Sequence, residues 1–283
     1  MKKVEDIILD FDKRNIASLR KYLPVNFCAE ASNLILKNPG TVLIATGFYI
    51  LAGGASETDG PPGAIALGDA LSSLGYRVFY ITDKYSFPFV EAISKANKVI
   101  EFPICSHQES KRFARETLEK YKPSILVSIE RCGFTEKRDY LNRYGKSIAD
   151  FNAKIDYLFE EFPVSVGIGD GGNEIGMGSL ADVIPLYKNL SNPPTVTKTS
   201  KLIISSVSNW GAYGLVTSIS EIVGKKLLLS TDDEINLIKK IVNLGAIDGT
   251  TNINVNKVDG FDLCENSRTI TSLQDYLDEV NIN

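Results

Sequence analysis

Carboxylates beside glycines recur at a few points in this chain, and their spacing suits acid–base or cation chemistry on a small molecule. Glu57-Thr58-Asp59-Gly60-Pro61-Pro62-Gly63-Ala64 reads as a loop opening a helix. Proline in the first turn preorganises the helix start, and its free N–H groups attract anions. Gly60 and Gly63 let a ligand approach that backbone. A capping Asp59 accounts for part of the pattern, whereas Glu57 is a second carboxylate that capping does not require. Gly169-Asp170-Gly171-Gly172-Asn173-Glu174-Ile175-Gly176 is the densest cluster. Its glycines expose backbone donors, and Asp170 and Glu174, flanking Asn173, suit a hard cation or proton transfer.

Three shorter stretches add to these. In Glu130-Arg131-Cys132-Gly133 the arginine can grip a substrate carboxylate bidentately while Glu130 orients it or ligates a metal; a structural ion pair is the plainer alternative. Asp83 in Thr82-Asp83 is a further candidate ligand or a helix cap. Asn209 in Ser208-Asn209-Trp210-Gly211 offers an amide to orient a substrate, and Trp210 is either a pocket wall or core.

Composition excludes several classes. The net charge of -4 and pI near 5.3, with no lysine or arginine stripe, argue against nucleic acid. Cys28, Cys105, Cys132 and Cys264 form no C-x-x-C pair, so neither a disulfide framework nor a thiolate zinc site is expected. His107 is the single histidine, read as solvated or capping, and Ser-His-Asp, Cys-His and zinc-hydrolase schemes drop out with it. The N-terminus turns acidic before an apolar signal core can form, and no run approaches the roughly 18 apolar residues of a membrane span. A cytoplasmic protein without a membrane or nucleic-acid partner is the expectation; homo-oligomerisation is left open.

The elements that must position these residues follow from periodicity. Apolar runs at 41–45, 77–81, 98–102, 124–129, 164–168 and 201–205 read as six buried strands alternating with helices. That pattern specifies a doubly wound, mainly parallel, Rossmann-like α/β sheet with helices on both faces. In such a sheet the ligand crevice lies outside the carboxyl ends of the strands, where all the stretches above fall. Residues 1–38 read as a helical cap on the first strand's edge, 39–250 as the core and 251–283 as a C-terminal loop or hairpin and helix, all in one domain. Helices are expected over 211–223, over 232–244 with Thr231 or Asp232 as N-cap, and over 270–280. Gly167 to Gly172 fits G-x-G-x-x-G, but on the fifth strand and with no acidic residue ending the next, so NAD or FAD is not expected.

Taken together, Thr46-Gly47-Phe48, Glu57 to Ala64, Thr82-Asp83, Glu130-Arg131-x-Gly133, Gly167 to Gly178 and Ser208 to Tyr213 resemble the D-glutamate cyclase family, over about residues 40 to 250. Tyr140, Asn142 and Gly145 fit it as well. The resemblance implies conversion of D-glutamate to 5-oxo-D-proline with loss of water, on a small acidic substrate. Lactam formation needs a neutral amine, an electrophilic γ-carboxyl carbon and a proton for the departing oxygen. The expected roles are acid and base for Asp170 and Glu174, with Glu57 in reserve, and α-carboxylate binding by Arg131. Backbone donors at Gly60 to Gly63 or at Gly171, Gly172 and Asn173 would hold the oxyanion. A Mg²⁺ or Mn²⁺ ion held by Asp59, Asp83, Glu130 or Asp170 is left open.

Overall fold

The computed structural model describes residues 2–282. Six strands form one parallel sheet: β1 (Thr41–Thr46), β2 (Arg77–Thr82), β3 (Lys98–Glu101), β4 (Ile125–Ile129), β5 (Ser165–Gly169) and β6 (Lys201–Ile204), in the spatial order β3-β2-β1-β4-β5-β6. The doubly wound α/β reading of the sequence is what the chain adopts. Side chains of successive strand residues go to opposite faces and both faces are covered. Val42, Ile44, Tyr80, Val127 and Ile168 enter one core, and Leu43, Ala45, Ile81 and Leu126 the other.

The helices are α1 (Val4–Ile8), α2 (Phe27–Leu36), α3 (Pro61–Ser73), α4 (Phe87–Ile93), α5 (His107–Tyr121), α6 (Asp156–Glu161), α7 (Ser208–Val223), α8 (Thr231–Asn243) and α9 (Leu263–Glu279). Ser230, one residue earlier than expected, caps α8 in a reciprocal box with Asp233. Asp262 caps α9 in the same way with Glu265, so that helix starts well before residue 270. The 252–260 region is closed by a two-residue ladder pairing Lys257–Val258 with Phe261–Asp262. His107 begins α5, but Ser106 is its cap, and the imidazole Nδ1 lies 2.7 Å from the Tyr157 hydroxyl.

The N-terminal segment departs from expectation. It is not one helical stretch: α1 and α2 are separated by a loop and a 3₁₀ turn at Ile16–Tyr22. Nor does it cap the edge of β1, because β1 lies inside the sheet with β2 and β4 on either side. Instead α2 packs against α7 and β6, and the loop between α1 and α2 turns Arg14 toward the strand ends. Among the described residues, no helix is long and apolar enough to cross a membrane.

The order of strands creates a topological switch point. Chain connections leave β1 in one direction, toward β2 and β3, and return to β4 on its other side, which opens a crevice outside the carboxyl ends of β1 and β4. Register makes the ends flush. Thr46 pairs with Ile129, Ile129 with Ile168 and Ile168 with Ile203, so one row of residues ends these strands together. Glu130 and Asp170 leave the sheet within two residues of that row.

Candidate active site

Glu130 is built into its position at a cost. It has φ of 45°, a left-handed conformation unfavourable for a residue with a side chain, while its N–H still donates to the Ile168 carbonyl at 3.2 Å. Its carboxylate accepts from the Ser208 hydroxyl at 2.6 Å. Gly60 makes the close approach from the β1 side: at φ 97°, a Cβ there would stand 2.8 Å from the Cβ of Glu130 and 2.7 Å from Thr46 Oγ1. Asp59 is therefore delivered beside Glu130, and the start of α7 fixes it. Ser208 N–H donates to Asp59 Oδ2 at 2.9 Å, and Asn209 N–H to Oδ1 at 2.8 Å. Oxygens of Asp59, Glu130 and Asp170, one from each, lie within 4.8 Å of one another, and all three residues are buried. This is the group that could hold a metal ion.

Above the triad opens a narrow cleft lined by Glu57, Glu130, Glu174, Asn173 and Arg14, with Phe48, Ile50 and Leu51 on one wall and Asn142, Arg143 and Tyr144 at the rim. Arg14 bridges the carboxylates beneath, reaching Asp170 Oδ1 with one nitrogen and Asp259 Oδ1 at 2.6 Å with the other. Its side chain is 15% exposed. Sequence reasoning passed over both Arg14 and Asp259. Arg14 sits in the stretch that reads as a helical cap, and Asp259 in the stretch that reads as an irregular loop or hairpin, so neither is marked as a site by its surroundings in the sequence.

The electrostatics are those of too many acids in too little water. Burial pushes Asp59 up to about 7, with Asp259 adding to it and the N–H bonds from α7 opposing. Burial also drives Glu57, Glu130 and Asp170 well above the ordinary carboxylate range. Neighbouring acids reinforce all three, while Arg14 opposes the rise at Glu57 and Asp170. Arg14 is held protonated by Asp170 and Asp259 against its own desolvation. Such a cluster keeps protons or takes up a cation, because several unpaired carboxylates in a dry site are prohibitively costly.

Several expected roles are redistributed. Arg131 does not line the cleft. It is completely buried, paired with Asp83 at 2.6 Å, and donates to the Gly47 carbonyl at 2.8 Å and the Ala153 carbonyl at 3.0 Å. The same pairing takes Asp83 away from the acid triad; its other oxygen accepts the Tyr85 N–H at 3.0 Å. Asn209 does not face the cleft either. Its Oδ1 accepts the Gly60 N–H at 3.0 Å and the Gly63 N–H at 2.8 Å, so these donors at the start of α3 are committed. Gly171 and Gly172 donate to the two oxygens of Glu174, at 2.9 and 2.8 Å, and are likewise committed rather than free for an oxyanion. Asn173 lines the cleft while its amide ties the Leu141 carbonyl and the Ser191 hydroxyl together. Gly167 presses against Gly176, where an added Cβ would stand 2.7 Å from the Gly176 Cα, so the glycine pattern here serves loop packing. Trp210 is core, donating from its ring nitrogen to Asn266.

The family model described as D-glutamate cyclase-like, C-terminal, matches residues 4–274 of this chain. The chain belongs to that family. Among D-glutamate cyclase-like proteins, the human protein named "D-glutamate cyclase, mitochondrial" is 30% identical over 210 residues, which are 66% of this chain and 34% of the human protein. The chain thus corresponds to about a third of that relative's length. A D-glutamate cyclase-like domain is in keeping with an acid-rich cleft at the switch point, and the 4–274 match takes in both Arg14 and Asp259.

Proposed function

We propose that the chain is a lyase of the D-glutamate cyclase type, converting D-glutamate to 5-oxo-D-proline and water. The observation that carries the reading is one cleft in which raised, protonatable carboxyls face a guanidinium, in a member of this family. The reaction requires both: a cationic group for the α-carboxylate, and a carboxylic acid that is still protonated where the γ-carboxyl must lose an oxygen.

In this account Arg14, with Arg143 at the rim, takes the α-carboxylate in place of Arg131. Glu174, whose oxygens are already oriented by the Gly171 and Gly172 N–H groups, accepts a proton from the substrate ammonium. As the free amine attacks the γ-carbon and forms the C–N bond of the ring, Glu174 passes its proton to a γ-carboxylate oxygen, making it a hydroxyl, and then takes the second proton from the nitrogen. Glu57, protonated because of its burial, gives its proton to the departing hydroxyl, the C–O bond breaks and water leaves, and the proton left on Glu174 returns to Glu57 to reset the pair. Asp170 acts on this chemistry by holding Arg14 rather than by exchanging protons with the substrate. Asn142 and Tyr144 border the entrance and are placed to choose among acidic substrates.

Free N–H groups at the start of α3 would instead suit a non-catalytic module that binds a phosphorylated metabolite. The commitment of the Gly60 and Gly63 N–H groups to Asn209 removes its support. The test is an incubation of the protein with D-glutamate, L-glutamate, D-aspartate and 5-oxo-D-proline, followed by chromatography. Interconversion of D-glutamate and 5-oxo-D-proline is expected; turnover confined to another acid, or no turnover of any, refutes the reading.

A further inference from the structure

We propose that Asp59, Glu130 and Asp170 form a binding site for one hard divalent cation of the Mg²⁺ or Mn²⁺ class at the base of the cleft. Each contributes an oxygen, and the set lies within 4.8 Å. An octahedral ion with metal–oxygen distances of about 2.1 Å has neighbouring ligand oxygens about 3.0 Å apart and opposite ones about 4.2 Å apart, and three oxygens already gathered within 4.8 Å need only a local closing movement to reach that geometry. The donors are all carboxylate oxygens with no sulfur or imidazole, which selects hard cations over zinc or copper.

A second observation, separate from the clustering, points to a missing partner. Asp170 is completely buried, and although its Oδ1 is taken by Arg14, its Oδ2 has no hydrogen-bond partner. A buried carboxylate oxygen left bare costs free energy that a bound ion would recover. The other two ligands are already aimed. Asp59 is held by the Gly60, Ser208 and Asn209 N–H groups and Glu130 by the Ser208 hydroxyl, the kind of outer support that fixes ligating carboxylates. Asp83, by contrast, is spent on Arg131 and is not a ligand.

Three protein oxygens leave about three positions of a six-coordinate ion for water or a ligand. Glu130 belongs both to the triad and to the cleft wall, so an ion here borders the space where a substrate carboxyl would sit. Its use in polarising that carboxyl rests on the cyclase reading; its binding does not.

The experiment titrates EDTA-treated protein with Mn²⁺ and follows free Mn²⁺ by electron paramagnetic resonance, with no substrate present. One Mn²⁺ per chain is expected to bind with Kd below about 1 mM. Asp170→Asn and Glu130→Gln should each weaken binding at least about tenfold, with circular dichroism confirming the fold. Glu57→Gln mimics the neutral, protonated form of a nearby carboxyl outside the triad and should change Kd by no more than about threefold. If Asp170→Asn does not fold, Glu130→Gln decides. Mn²⁺ that stays free up to that concentration overturns the proposal. So does full affinity in the triad variants, or an equal loss in Glu57→Gln, which would mean diffuse acidic attraction. Because no turnover is measured, failure here and failure of the cyclase reading are separate results.

Discussion

Arg14 and Asp170 stand 156 positions apart in the chain and meet in an ion pair beneath the cleft, with Asp259 on the other side of the guanidinium. Three distant segments are joined there: the loop after α1, the end of β5 and the turn before α9. Removing Arg14 strips the buried acids of their nearest cation. We expect Arg14→Met to raise KM for D-glutamate at least about tenfold, equivalent to the loss of a charge-assisted hydrogen bond of about 1.5 kcal/mol or more. Arg14→Lys should rescue little, since an ammonium cannot reproduce a planar fork between two carboxylates. Steady-state kinetics with separate kcat and KM check this, and an unchanged KM in Arg14→Met would remove Arg14 from substrate binding.

Arg131 and Asp83 are a structural pair, and the expected damage is to stability. Arg131→Met leaves the Asp83 carboxylate buried beside apolar atoms, which costs about 3–5 kcal/mol for broken buried pairs. Adding Asp83→Asn should return part of that loss. Urea denaturation of the single and double variants measures both. A nearly unchanged midpoint in Arg131→Met, with KM raised instead, would restore it to the substrate-binding role its position after β4 suggested.

The central strands β1, β4 and β5 were legible because each is a short apolar run buried on both faces, and even the edge strand β3, exposed at Lys98 and Glu101, keeps an apolar centre at the expected spacing. Glu57, Asp59, Glu130, Asp170 and Glu174 were legible for the next reason down: in such a sheet they must follow strand ends. What remained hidden was which partner each polar group finds. Asn209 satisfies Gly60 and Gly63 across 149 and 146 positions, and nothing local distinguishes that from an amide facing a ligand. Arg131 was misread for the same reason, since burial of an arginine follows from the loops packed over it, here the stretch around Ala153. Arg14 lay in a segment whose apolar residues read as an edge-capping helix, whereas its break at residues 9–15 is what turns the guanidinium inward.

Glu234 gives a pH prediction that does not involve the cleft. It is buried beneath α9, where Asn266 Nδ2 and Ser267 Oγ donate to its two oxygens at 2.6 and 3.0 Å, and burial still pushes its carboxyl up to about 7. With the folded value above the unfolded one, the protonated fold is favoured. That contribution is complete below about pH 4 and is lost as pH rises through about 7. Glu234→Gln, which mimics the neutral form, should match the parent near pH 4 and exceed it by about 3 kcal/mol at pH 8. Thermal denaturation across pH 4 to 8 tests this; a variant less stable than the parent at pH 8 would show that the ionised carboxylate is favoured in the fold.

Proton donation by Glu57 is the step on which the catalytic account turns, because among the described residues Glu57 alone combines a raised carboxyl, a place in the cleft wall and a position outside the Asp59, Glu130 and Asp170 triad. The decisive measurement is the rate of 5-oxo-D-proline formation from D-glutamate by the parent protein and by Glu57→Gln at matched Tm. We predict product from the parent and a fall of at least about 100-fold in kcat for the variant, the usual contribution of a general acid. Glu57→Gln protein that forms 5-oxo-D-proline at the parental rate would contradict it.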